Sequence, residues 1–371
     1  MYWDTAATTP VKPEVLEAMM PYFTDKWYNP SAIYEPAREI RRDIDSAREV
    51  IAKSINADPD EIYFTSGGSE SNSWVVNSDY WFFITSPIEH HSIDSSVHRG
   101  GKILITDTKG IISYAKQPEP EYASNSIVSV IMANNEIGTI QNIKELAKYA
   151  HEQNLLFHTD AVQAYGKIPI DVKELNVDAL SVSGHKIGAP KGIGFLYIKN
   201  DVKDLFVPMI YGSQERDRRG GTENVPYIMG LAKAVELIDY SKQDYFKEIY
   251  EYAVEECQDF ATVNGHPTQR LYNILSLTIK DNIDGQQLIG LLHDQGEYVS
   301  AGSACNAYSP EPSHVLKAIG LSDEEASRTI RISFPDNVDK GDINRLFENI
   351  RQNVQILKMM TMMNFPIKEG V

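Results

Sequence analysis

Two cysteines, Cys257 and Cys305, are all that 371 residues hold, too few for a disulfide framework or a cysteine-built zinc site. No metal centre is expected, and a reducing cytoplasm is the expected compartment. Basic residues are scarce as well: 35 Lys and Arg against 52 Asp and Glu leave a net charge of -17, which argues against direct nucleic-acid binding. No run approaches the roughly 20 apolar residues that a membrane-spanning helix needs. The opening Met1-Tyr2-Trp3-Asp4 lacks the basic-then-apolar order of a signal peptide, so no membrane partner is expected. Internal repeats and low-complexity tracts are missing too. The 42% apolar and 23% charged residues that remain describe a globular chain and exclude disorder as its main theme. Its length exceeds what one core usually organises and predicts two domains.

Apolar positions Ile40, Ile44, Ala47, Val50 and Ile51 recur at helical spacing and predict a surface helix over 38–55. The period then changes. A β-prone run at 62–65 ends in Ser66-Gly67-Gly68-Ser69, giving strand, glycine turn and helix start. Similar units follow, with strands at 127–132, 155–159, 179–182 and 195–198 and a helix near 143–153. Such repetition predicts an α/β layer with a mainly parallel sheet. Helix resumes after Pro226, and a domain boundary is expected near 240. Beyond it, strands at 275–279 and 329–334 with helices at 284–294 and 312–319 predict a smaller α+β domain. The tail Met359-Met360-Thr361-Met362-Met363 reads as apolar packing or a frayed helix end.

Three places can carry chemistry. Lys186 follows the strand at 179–182 and precedes a glycine-rich turn; a lysine in an apolar setting supplies a neutral amine for a Schiff base, while the plain alternative is a surface loop lysine. Asp160 closes Phe157-His158-Thr159-Asp160, where a strand-end carboxylate can keep a pyridine nitrogen protonated, or merely cap a helix. The turn at Ser66 to Ser69 offers backbone N–H groups and a hydroxyl at a helix start, a suitable phosphate cradle or an ordinary turn.

Six motifs in order carry a resemblance over nearly the whole chain: Ser66-Gly67-Gly68-Ser69-Glu70-Ser71-Asn72, Asn134-Asn135-Glu136-Ile137-Gly138, Asp160-Ala161-Val162-Gln163, Ser183-Gly184-His185-Lys186, Arg219-Gly220-Gly221-Thr222 and Gly302-Ser303-Ala304-Cys305. The set resembles the pyridoxal-phosphate-dependent cysteine desulfurases of the class V aminotransferase group. The resemblance implies the fold type I architecture of such transferases. In it, a segment at 1–14 packs with the small domain, and a large cofactor-binding domain at 15–240 carries a mainly parallel, seven-stranded mixed sheet. A smaller α+β domain at 241–371 carries the cysteine loop.

It also implies pyridoxal 5'-phosphate as cofactor and a role for each matching residue. Lys186 would hold the cofactor and move protons, Asp160 would pair with its ring nitrogen, and Gln163 would bond its phenolic oxygen. His90 would stack on the ring and take part in proton transfer. Gly68, Ser69, Ser183 and His185 would hold the phosphate, with Thr222 reaching it from a second subunit, so a homodimer is implied. Asn135, at the cofactor, would with Arg331 orient the substrate carboxylate, a planar guanidinium suiting that ligand. Cys305, among small and polar neighbours, would attack the sulfur of L-cysteine, release L-alanine and hand its persulfide sulfur to an acceptor protein. Cys257, in a helical stretch, reads as structural. The segment from Cys305 to Pro312 matches the longer-loop branch of the family; a selenocysteine lyase or an aminotransferase is the alternative activity. The chain departs from the family at Ser333-Phe334-Pro335-Asp336, at Tyr34, and in short stretches at 72–89 and at the C-terminus, which bears on partner docking.

Overall fold

A computed structural model describes residues 1–78, 82–94, 102–113, 126–301 and 312–362. In the helix Glu35–Ser54, Ile40, Ile44, Ala47 and Ile51 share one buried face, and Pro36 sits in the first turn, where its missing N–H costs no hydrogen bond. The strands in chain order are β1 (Ile62–Thr65), β2 (Phe82–Thr85), β3 (Lys102–Ile103), β4 (Ile105–Thr106), β5 (Ile112–Ser113), β6 (Ser126–Ile131), β7 (Leu156–Asp160), β8 (Ala179–Ser183) and β9 (Gly194–Ile198). They are followed by β10 (Ala261–Val263), β11 (Ile274–Ile279), β12 (Ser300–Ala301) and β13 (Thr329–Ser333).

Seven strands form the central sheet in the order β1-β9-β8-β7-β6-β2-β3. β9 runs antiparallel to both neighbours, and the other adjacent pairs are parallel. The sheet is covered on both faces, because alternate residues enter different cores. Phe64, Val128, Val130 and Phe195 join one cluster, while Tyr63, Ile127 and Leu196 join another. This two-sided burial explains why β6, β8 and β9 read as nearly continuous apolar runs. The parallel strands end on one edge, so the turns after β1, β2, β6, β7 and β8 gather there, where ligands of such sheets bind.

A second, antiparallel sheet has the order β10-β11-β13-β12 and its own core, including Leu275, Leu277, Ile330 and Ile332. The helix Lys242–Glu256 packs on the long helix Lys340–Met362 beside it. Residues 1–6 join this sheet: Asp4 pairs with Ser333, and the Ser333 N–H donates to the Trp3 carbonyl at 2.7 Å. Met359, Met360 and Met362 stand exposed at the end of the last helix, so those positions do not pack into the core. Among the described residues no helix is long and apolar enough to cross a membrane.

Candidate active site

The turn after β1 shows why glycine is needed there. Gly67 has φ +146°, in the region that favours glycine, and a Cβ on Gly68 would lie 2.6 Å from Val162 Cγ2. The helix Gly68–Val76 starts at this point. Its first N–H groups have no partner within the helix, and together with the Ser69 hydroxyl they supply donors for an anion. Glu70 in the same turn is held below the usual carboxylate range; burial opposes this, but bonds from Arg219 and Ser66 outweigh it.

Asp160 ends β7 and is buried. Its Oδ1 accepts the Val162 N–H at 2.9 Å and its Oδ2 accepts from Asn72 Nδ2 at 2.7 Å. Asn72 also donates to Ser92 Oγ at 2.9 Å, and Ser92 Oγ lies 2.8 Å from His90 Nδ1. The Ser92 N–H points at the same Nδ1, so that nitrogen accepts and the proton of neutral His90 belongs on Nε2. Burial lowers the His90 pKa, with the Lys186 charge adding to it and Asp160 opposing it.

Lys186 follows β8 in a short 3-10 turn. The sequence suggested an apolar setting for its amine, whereas Nζ donates to the carbonyls of Ala6 and Ala7, the latter at 2.8 Å. The N-terminal segment that supplies these carbonyls touches other predicted residues. Gln163 Nε2 donates to the Ala6 carbonyl at 2.8 Å, and Thr8 Oγ1 lies 3.0 Å from His185 Nδ1. Burial, with the Lys186 charge, brings the His185 pKa down to about 4, so His185 is neutral near pH 7. Gln163 Oε1 accepts from Lys167 Nζ at 2.7 Å, which turns the Nε2 end of the amide towards Ala6. Burial, followed by the charges of Lys186 and Arg331, takes the Lys167 pKa to about 7.

Arg331 lies on β13 and is 1% exposed. Its Nη1 donates to the Asn135 carbonyl at 3.0 Å and its Nη2 donates to Asp4 Oδ1 at 2.6 Å. Glu136 is buried, which raises its carboxyl pKa, and its Oε2 accepts from Ser313 Oγ at 2.5 Å. His314 Nε2 donates to the Glu89 carbonyl at 2.9 Å, and its ring centroid is 4.7 Å from that of His91.

A cavity of about 360 Å³ brings these groups together. Gly68, Ser69, Ser183 and His185 line it with Asp160, Gln163 and Lys186, and so do His90, Asn135 and Arg331. Thr222 does not line it and is exposed. Cys305 lies outside the described residues. Cys257 is fully buried in the small core, and burial pushes its thiol up to about 11, as suits a structural cysteine. Sequence reasoning gave no role to Asn72, Glu136, His91, His314 or Lys167. Asn72 and Glu136 stand inside the quoted motifs, but only the fold brings their side chains to the cavity.

The donor set fits a phosphorylated pyridine carrying an aldehyde: an amine, a buried carboxylate for a ring nitrogen, and a helix start with two serines for a phosphate. The sequence pattern of the class-V aminotransferases matches residues 1–346. A cysteine desulfurase IscS from Methanosarcina thermophila is 42% identical over 97% of this chain and 93% of its own. One from Dictyoglomus turgidum is 39% identical, covering 97% and 96%. Among solved structures, a NifS-like protein superposes with a TM-score of 0.84 at 31% identity, over 97% of this chain and 99% of that one. A structure described as SspA in complex with cysteine superposes with a TM-score of 0.79 at 38% identity, over 90% and 99%.

Proposed function

The chain belongs to the class-V aminotransferase family, and from that premise we propose that it is a cysteine desulfurase: it converts L-cysteine to L-alanine and passes the sulfur through Cys305 to an acceptor protein. The observation that carries this reading is the single cavity holding Lys186, Asp160, Gln163, His90 and Arg331 together. Pyridoxal 5'-phosphate is the cofactor these groups suit. Lys186 would hold its aldehyde carbon, Asp160 its ring nitrogen and Gln163 its phenolic oxygen, while Gly68, Ser69, Ser183 and His185 would hold its phosphate. Bound there, the cofactor supplies a ring that stores the electron pair freed at the substrate carbon.

The protein's own groups do the rest. Arg331 and Asn135 orient the α-carboxylate, and Lys186 removes and returns protons at the substrate carbon. Neutral His90, with its proton on Nε2, suits a part in proton transfer. The Cys305 thiolate forms a bond to the substrate sulfur as the carbon–sulfur bond breaks. Protonation of the carbon left behind gives alanine, and the sulfur stays on Cys305 as a persulfide. Thr222, exposed and away from its own cavity, suits a reach to the phosphate of a second copy in a homodimer. The cytoplasm suits a thiolate that must stay reduced.

The test is an ultraviolet–visible spectrum before and after adding L-cysteine, with alanine and persulfide assayed in the same tube. A yellow protein whose band changes, with alanine formed and Cys305 persulfidated, is the expected result. Lys186→Ala should lose both band and turnover, and Cys305→Ser should keep the band and lose desulfuration. Alanine and sulfide formed at the parent rate by Cys305→Ser would overturn the role of Cys305. A yellow protein yielding an oxo acid and no alanine would move the activity to an aminotransferase.

A further inference from the structure

We propose that Asp4 is the positioning residue of Arg331, fixing the guanidinium so that its remaining donors receive the substrate's α-carboxylate; this rests on the reading of Arg331 given above. β13 alternates, sending Ile330 and Ile332 into the small core and Arg331 and Ser333 to the opposite face. Small neighbours leave room for the long side chain: Arg331 stands between Ser276 of β11 and Ser300 of β12. Asp4 is paired with Ser333, two residues along. Trp3 fixes that register, since its buried ring donates Nε1–H to Glu297 at 2.6 Å and its carbonyl accepts the Ser333 N–H. Asp4 Oδ1 is thereby delivered to Arg331 Nη2.

A carboxylate so placed is either a competitor of the substrate or a support for the arginine. Arg331 lines the cavity and Asp4 does not, which favours support. A guanidinium has five N–H donors. Asp4 takes one at Nη2, the Asn135 carbonyl takes one at Nη1, and the buried Nε has no hydrogen-bond partner among the described residues. A buried donor left without a partner marks a place that a ligand oxygen can fill. A guanidinium only 1% exposed also needs an opposite charge to remain there, and Asp4 is its one carboxylate at ion-pair distance among the described residues. Asp4 therefore both neutralises the arginine and holds its plane, and the substrate carboxylate meets a preset fork.

The experiment compares Asp4→Ala and Asp4→Asn with the parent, each loaded with cofactor. It reads kcat and KM for L-cysteine and, from the cofactor's absorbance, the Kd of L-alanine and of cysteamine, which lacks the carboxylate. Asp4→Ala should weaken L-cysteine and L-alanine by roughly 10- to 100-fold, the cost of losing one charge-assisted hydrogen bond, while cysteamine binding stays unchanged. kcat should stay within about threefold, since the lost interaction is made equally before and during the reaction. Asp4→Asn keeps the Oδ1 acceptor but drops the charge, so it should weaken L-cysteine and L-alanine by a smaller factor, about 3- to 10-fold, with cysteamine unchanged; if Asp4→Ala fails to fold, Asp4→Asn still carries the contrast between L-alanine and cysteamine. Tighter L-cysteine binding in either variant would make Asp4 a competitor and overturn the proposal. Equal weakening of L-alanine and cysteamine would overturn it as well, by reducing Asp4 to a general structural part. If the parent itself does not turn over L-cysteine, the desulfurase reading fails, and the L-alanine titration still decides the role of Asp4.

Discussion

Asn72 Nδ2 donates to Asp160 Oδ2 at 2.7 Å, and the same amide nitrogen donates to Ser92 Oγ at 2.9 Å. Ser92 in turn meets His90 Nδ1, so one amide ties the strand-end carboxylate to the imidazole of the same cavity. Asp160 is held on both oxygens, by Asn72 and by the Val162 N–H. A carboxylate so oriented can face a ring nitrogen without first reorganising.

The two residues should therefore fail differently. Asp160→Asn removes the charge that, in the proposed site, keeps a ring nitrogen protonated, and turnover should fall by roughly 100- to 1000-fold or more, the scale seen when one preorganised electrostatic partner is lost. Asn72→Ala leaves the charge but loses its orientation, which should weaken cofactor retention by about 10-fold, the effect of one hydrogen bond to a charged group. Cofactor titration followed by absorbance, alongside alanine formation, separates them. Equal losses of turnover in both variants would mean that orientation by Asn72 is as necessary as the charge of Asp160.

Gly68→Ala tests the proposed phosphate cradle by crowding it. The added Cβ would stand 2.6 Å from Val162 Cγ2, so the helix start or Val162 must shift, at a cost of about 1–3 kcal/mol for overpacking. Cofactor affinity should fall by about 10-fold or more. The paired substitution Gly68→Ala with Val162→Ala removes the contact and should restore most of it. Failure of that rescue would place the glycine requirement in the backbone or in the phosphate's approach rather than in Val162.

Much of this arrangement was legible in the sequence, and the reason is local. β6, β8 and β9 are buried along their whole length and leave nearly continuous apolar runs, while Asp160 ends its strand and the turns carrying Ser69 and Lys186 follow theirs directly. The helix Lys242–Glu256 was harder to see, because few residues, among them Ile249, Tyr250 and Ala253, face the core from an otherwise acidic, tyrosine-rich stretch. β10 and β12 have only three and two residues, too few for alternation to register. Pairs such as Asp4 with Arg331 or Thr8 with His185 are made only when the N-terminal segment passes from the second sheet to the turn after β8, and no spacing in the chain announces them.

His158 gives the fold a predictable weakness in acid. It is fully buried between Ser129 and Ser181, with Oγ atoms at 2.8 and 2.9 Å, and burial brings its pKa down to about 3. The unfolded chain takes up a proton near the ordinary value of 6.5 and the folded chain does not, so the unfolded state binds more protons below that pH. Stability is complete above pH 6.5 and is lost as pH falls from there towards 3. Between pH 6.5 and 5 the loss from this one residue should be about 2 kcal/mol, measured by urea unfolding. His158→Gln should flatten that part of the pH profile; an unchanged slope would assign the acid sensitivity to other groups.

Arg48 and Glu215 form a buried ion pair, with side chains 6% and 2% exposed. Glu215 Oε1 accepts from Arg48 Nη2 at 2.7 Å, and Oε2 accepts from Nη1 at 2.8 Å and from the Phe64 N–H at 2.9 Å. The pair anchors an unfavourable backbone: Glu215, Arg216 and Asp217 have φ of 47°, 58° and 63°, a left-handed run without glycine. Each such residue costs energy and persists only where the surroundings dictate it. Glu215→Ala strands a buried guanidinium and releases the turn, so unfolding free energy should drop by about 3–5 kcal/mol. The segment continues to Arg219, whose Nε and Nη2 bond Glu70 in the turn after β1 at 2.9 and 3.0 Å, so, on the proposed cofactor site, cofactor affinity should fall too. Replacing both partners with apolar residues, as in Arg48→Met with Glu215→Leu, should recover stability, because no charge is left unpaired. It should not recover cofactor affinity if the left-handed turn depends on the Glu215 bond to Phe64. Recovery of both would show that the turn holds itself and that the ion pair serves only the core.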